Sequence, residues 1–207
     1  MSPNVLVYAL RALEQVTGDI INSKNIEKAG KTIKHCSIAA AVAGVGTGWL
    51  PGAGALVASA AWVAAIWGMY VKVNIDLGIS IKKNVLKSLA SALLTNIIAS
   101  AGSYILMIVA SFLLSFIPGF GTIGAVAIDG MIGYITVFAS GVLYINLLTK
   151  LFKAGKGFTF TEEEAKGLAK DIVDESDMRT IIKEGRNAYK EDKKAGKFEQ
   201  NDSTKSE

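Results

Sequence analysis

Two long apolar runs, each broken near its middle by a Pro-Gly step, set the hydrophobic pattern of this chain. From Cys36 to Val71 no side chain is charged, and from Ser88 to Thr149 only Asp129 is. The breaks are Trp49-Leu-Pro-Gly-Ala-Gly54 and, 67 residues later, Phe116-Ile-Pro-Gly-Phe-Gly121. Proline removes a backbone donor and glycine turns the chain cheaply, so a Pro-Gly-x-Gly step inside an apolar run predicts a helix, a tight reversal and a returning helix. The fold class that follows is all-α. It has two apolar helical hairpins, with tips at Pro51, Gly52 and Gly54 and at Pro118, Gly119 and Gly121, flanked by amphipathic helices.

Arm lengths distinguish the two hairpins. Cys36 to Leu50 gives 15 residues, about 22 Å of helix, against the roughly 20 residues that a hydrocarbon core requires. The return arm, Ala53 to Val71, has 19 residues and just reaches. The first hairpin is therefore expected either to re-enter the membrane or to form a buried pair. Leu89 to Ile117 and Gly121 to Thr149 have 29 residues each, long enough to cross with tilt. Gly44 and Gly48, then Gly130 and Gly133, form small-residue faces where another helix backbone can approach closely. They make helix packing and homo-oligomerisation the expectation.

The flanks change period. Residues 3–21 place Val5, Ala9, Ala12, Leu13, Val16 and Ile20 on one stripe of a helix. Thr161-Glu-Glu-Glu164 has the form of a capping box, followed by an apolar stripe at Ala165, Leu168, Ala169, Ile172 and Val173. A second short stripe holds Ile181, Ile182, Gly185 and Tyr189. The expected division is an amphipathic head (1–35), a hydrophobic four-helix hairpin domain (36–149), amphipathic helices (150–190) and a disordered polar tail (191–207). Leu168, Ile172, Ile182 and Tyr189 are the candidate docking residues for a partner protein.

Charge places these parts relative to a bilayer. Of the 40 charged side chains, 39 lie outside the two apolar blocks, as expected where each mid-membrane charge costs about 2.5–3.5 kcal/mol. The head carries five basic and three acidic residues, and the 72–87 connection carries Lys72, Lys82, Lys83 and Lys87 against Asp76. Both tips are uncharged, so the basic bias predicts cytoplasmic termini and an even number of crossings. Composition adds a hydrophobic share of 51% and a mean hydropathy of +0.38, rich for a water-soluble domain. A net charge of +4 is too small to argue for nucleic acid. The single cysteine, Cys36, rules out an intramolecular disulfide, and residues 1–11 lack a basic leader region.

Candidate chemistry is sparse. Asp129 is the one charge inside the apolar runs, with Asn96, Ser100 and Thr122 as candidate hydrogen-bonding partners; it is read as structural glue between helices, as part of an ion or proton pathway, or as a residue near the membrane interface. Ala29-Gly-Lys-Thr32 has the ending of a P-loop, but position 25 is Asn and no strand precedes it. His35 is the only histidine, so metal sites and histidine-based triads have almost nothing to draw on. Trp49 and Tyr70, at hairpin ends, suit an aromatic belt, whereas Trp62 and Tyr134, in mid-run, suit packing. No enzyme, metal or cofactor is expected.

The motifs resemble those of a known family: the helical domain of unknown function of YcjF-type bacterial inner-membrane proteins, also found C-terminal to some bacterial GTPases. Ile117-Pro-Gly-Phe-Gly-Thr-Ile-Gly124, then Ile128-Asp-Gly130, then Gly155 to Leu168 are similar to its second half. Leu50-Pro-Gly-Ala-Gly54 and Leu77-Gly-Ile-Ser80 before Lys83 are similar to its first. The resemblance covers about residues 36–173 and carries no catalytic signature. It implies a bacterial inner-membrane location, with a GTPase or another cytoplasmic protein as a possible partner, although this chain has no G domain. The expected function is a non-enzymatic anchor, scaffold or regulator. The alternatives are a bundle made soluble that inserts later, in the manner of colicin-type pore formers, or a pathway through Asp129.

Overall fold

The computed structural model describes residues 5–47, 53–113, 121–155 and 158–198, with side-chain surroundings defined for 5–43, 64–101, 103–104, 130–155 and 158–198. Its elements are helices throughout: α1 (Val5–Thr17), α2 (Ser23–Thr47), α3 (Ala53–Leu77), α4 (Lys83–Leu113), α5 (Gly121–Lys153), α6 (Glu162–Asp174) and α7 (Met178–Lys194). A 3-10 turn, Gly18–Ile20, follows α1.

The second half of α5 is the hub. Tyr134, Ile135, Val137, Phe138, Ala139, Val142, Leu143, Tyr144, Ile145, Leu147 and Leu148 are all buried, so every side of this helix is covered. A helix that is apolar all round must be enclosed on all sides, and α5 is packed against α1, α2, α3, α4, α6 and α7. Thr32 on α2 meets Asp76 on α3, and Cys36 lies in the field of Lys72, so these two helices run antiparallel. Tyr70 and Asn74 on α3 meet Ser140 and Tyr144 on α5 in ascending order, which makes those two helices parallel.

Local sequence explains the boundaries. Gly18 and Gly78 hold φ of +50° and +70°, left-handed values that a side chain would strain, and they end α1 and α3. The capping box of α6 is complete: Thr161 Oγ1 accepts from the Glu164 amide at 3.2 Å, and Glu164 Oε2 accepts from the Thr161 amide at 2.7 Å. Asp177 caps α7 by accepting from the Thr180 amide at 3.1 Å.

Four features differ from the sequence reading. The 35/36 division falls inside α2, because the polar positions of its first half and the apolar ones of its second occupy one continuous helix. The buried face of α1 is Leu6, Ala9, Leu13 and Thr17, whereas Ile20 lies in the 3-10 turn, 76% exposed. The first part of the expected tail is folded: α7 reaches Lys194, and Phe198 stacks on Tyr189 with ring centroids 5.1 Å apart. Tyr70 belongs to the core and not to an aromatic belt, because its hydroxyl finds Ser140 and its ring stacks on Tyr144 at 4.1 Å.

Candidate functional site

Three polar constellations stand out among the described residues. The first lies inside the α2–α3–α5 contact. Tyr144 donates to Asn74 Oδ1 at 2.6 Å, Tyr70 shares a hydrogen bond with Ser140, and Thr32 donates to Asp76 Oδ2 at 2.6 Å. Asn74 Nδ2 is buried without a partner. These residues hold three apolar helices in one register, since a slip would strand each polar group in the core. Ala29-Gly-Lys-Thr32 lies where α2 meets two neighbours: Thr32, 4% exposed, bonds Asp76 on α3, and a Cβ at Gly30 would meet Leu10 Cδ1 of α1 at 2.6 Å. The P-loop-like residues thus form a helix-packing face.

The second is centred on Asp192 of α7, 1% exposed. Tyr134 of α5 donates to it at 2.7 Å, Lys197 at 2.8 Å, and Lys34 of α2 lies at 3.2 Å. Burial pushes the carboxyl up, but the hydrogen bonds from Lys197, Tyr134 and Lys34 together outweigh it and hold Asp192 below the usual aspartate range. Tyr189 and Phe198 close around Tyr134, at 5.6 and 6.3 Å between centroids. One carboxylate therefore fastens the last helix to the first half of α2 and to the hub.

The third is an open groove of about 640 Å³ between α4 and α6. Glu162 sits at one end, accepting from Asn84 and Ser88 at 2.7 Å each; those bonds, Ser88 first, hold its carboxyl below the usual range. Lys87, Lys166 and Lys170 line the groove with Ser91, Thr95 and Asn96.

The residues singled out in the sequence fall unevenly. Gly130 and Gly133 are buried in α5, and Asn96 donates to the Ala92 carbonyl of its own helix at 2.8 Å. Ile172, Ile182 and Tyr189 are 6%, 0% and 3% exposed, and Leu168 is half-buried against the same core. Ile172, Ile182 and Tyr189 are spent on attaching α6 and α7 to the hub, whereas Leu168 also lines an open cavity with Leu151, Phe160 and Gly167. Pro51, Gly52, Gly48, Pro118 and Gly119 lie outside the described residues. Gly44, Gly54, Gly121 and Asp129 lie within α2, α3 and α5, but their surroundings are outside what is described. Asp192, Tyr134 and the α4–α6 groove carry no motif in the sequence.

Among the described residues no group of three or more His, Cys, Asp or Glu side chains is placed to hold a metal. Compared with protein-family models, curated proteins and solved structures, the chain matches none of them. Two described helical segments are long and apolar enough to cross a membrane, Lys83–Ala101 with 39% of its apolar window buried and Gly130–Lys153 with 89%. The first keeps an open outer face; the second is wrapped by the chain's own helices, as the core helix of a water-soluble bundle also is.

Proposed function

We propose that the chain is a non-enzymatic membrane protein. Its packed helical base sits at the bilayer surface and its two apolar hairpins anchor it there, so that it serves as a scaffold or regulator of a partner. The observation that carries this reading is the segregation of charge along the helices. On α4 Lys87 is the last charge, and the following stretch to Thr149 holds only Asp129. The first arm, Cys36 to Leu50, has 15 residues, short of the roughly 20 that a crossing takes, which favours a first hairpin that enters one side of the bilayer. The resemblance to YcjF-type proteins adds a bacterial inner membrane, and the basic bias of the head and the 72–87 connection adds cytoplasmic termini.

The test is single-thiol labelling in intact cells and inverted vesicles, with Cys36 replaced and one cysteine placed at Ala53, Phe120, Ser80 or Ser203. Re-entrant hairpins leave Ala53 and Phe120 closed to reagent from outside, with Ser80 and Ser203 open on the cytoplasmic side. Labelling of both tips from outside establishes four crossings instead. Labelling of every site in a soluble fraction sinks the membrane reading.

A second reading has its own support. Gly130–Lys153, 89% buried, is enclosed by the amphipathic α1, α6 and α7, the arrangement of a bundle that stores apolar helices in water and releases them at a membrane. A monodisperse detergent-free protein that permeabilises liposomes selects it.

A further inference from the structure

We propose that the α4–α6 groove seats the phosphate headgroup of an anionic phospholipid, with an acyl chain lying along the outer face of α4; this rests on the membrane-seated reading above. Charge supports it first. Lys87, Lys166 and Lys170 converge on the groove against one carboxylate, Glu162, whose two oxygens are already taken by Asn84 and Ser88. Lys166 and Lys170 are 58% and 66% exposed and pair with Glu163 and Asp174 of their own helix, at 3.1 and 2.7 Å, with Glu162 and Asp171 also in their field. Exposed pairs of this kind are weak and screened by water, so both ammonium groups are free to turn to a phosphate. Ser91, exposed on the same wall of the groove, adds a hydroxyl.

The second support is the change in α4 along its length. Lys87 ends the charged part of the helix, and the same outer side continues through Ala92 and Thr95 to Ile98, which is 56% exposed. A cationic cup leading into an uncharged helix face fits an amphiphile, whereas a free phosphate would use only the cup. The groove's volume, about 640 Å³, also exceeds what one phosphate fills. A juxtamembrane lysine contributes about 1 kcal/mol toward an anionic surface, about fivefold in affinity, so three together give on the order of a hundredfold.

The experiment uses the full chain with vesicles of phosphatidylcholine alone or with 30% phosphatidylglycerol. Flotation measures membrane residence, and native mass spectrometry after detergent extraction measures which lipid is retained. The expected result is retained phosphatidylglycerol in preference to phosphatidylcholine, unaffected by millimolar inorganic phosphate. Lys87→Gln, Lys166→Gln and Lys170→Gln combined should abolish the preference while the chain still floats. The α7 control, Lys183→Gln, Lys190→Gln and Lys193→Gln, should keep it. A floating chain without lipid preference, an unchanged triple variant, equal loss in the control, or displacement by phosphate each overturns the groove assignment alone. A chain that floats with neither vesicle overturns the membrane reading as well.

Discussion

A methyl group built on Gly141 of α5 would lie 2.5 Å from Cγ2, 3.1 Å from Cγ1 and 3.3 Å from Cβ of Ile33 on α2. The glycine is where the second helix closes on the hub, and the clash includes the β-carbon, whose position follows the backbone. Gly141→Ala should therefore lose about 1–3 kcal/mol of stability through overpacking, despite the helix-propensity gain of nearly 1 kcal/mol. Gly167 on α6 is the control, since a Cβ there meets nothing within 4 Å; Gly167→Ala should stabilise. Thermal unfolding of the two variants, with Ile33→Ala added to Gly141→Ala to restore part of the loss, checks the argument. Equal melting shifts in both would refute it.

The all-α class, the capping box at Thr161 and the buried stripes of α6 and α7 were legible because each is written locally, in spacing of three and four residues. The hub was not. Val137, Leu143 and Leu147 lie in a run that fits a membrane span and a protein-covered hub alike, because burial by protein and burial by lipid demand the same apolar surface. Asp192 was hidden for the opposite reason. It sits among Glu191, Lys193 and Lys194 in a polar tail, and only the fold brings Tyr134 and Lys34 to it. Ile182 and Tyr189 read correctly as one face, but a face does not name what covers it.

Asp192 makes the attachment of α7 sensitive to acid. Its folded carboxyl is held below the ordinary aspartate value of about 3.9, so unfolding takes up a proton in that range. The stabilisation is fully present above about pH 4 and is lost as pH falls through the lower folded value. In Asp192→Asn the amides of residues 178–194 should exchange faster than those of α6, and the acid-dependent part of the wild-type loss should shrink. Exchange that rises equally in α6 and α7 would show that the carboxylate does not act on α7 in particular.

Tyr144 and Asn74 test whether the buried polar ladder works as a set. Tyr144→Phe removes the donor to Asn74 Oδ1 while Asn74 Nδ2 already has no partner, so the whole amide is stranded. A loss of about 1–3 kcal/mol is expected. Adding Asn74→Leu removes the stranded group, and the double variant should recover most of that loss. Additive losses in chemical denaturation would mean the two side chains contribute independently.

Thr161 carries the last prediction, and it separates α6 from the rest of the base. Its hydroxyl and the Glu164 carboxylate satisfy each other's backbone donors, and Glu162, the first residue of the helix, holds Asn84 and Ser88 on α4. Thr161→Ala should cost about 0.5–2 kcal/mol, concentrated where the first turn of α6 frays. Faster amide exchange is expected there, with protection of 178–194 unchanged because α7 has its own cap at Asp177 and its own anchor at Asp192. Thr161→Ser keeps an acceptor at the cap and should restore most of the protection. If the serine variant frays as far as the alanine one, the hydroxyl is not what starts the helix.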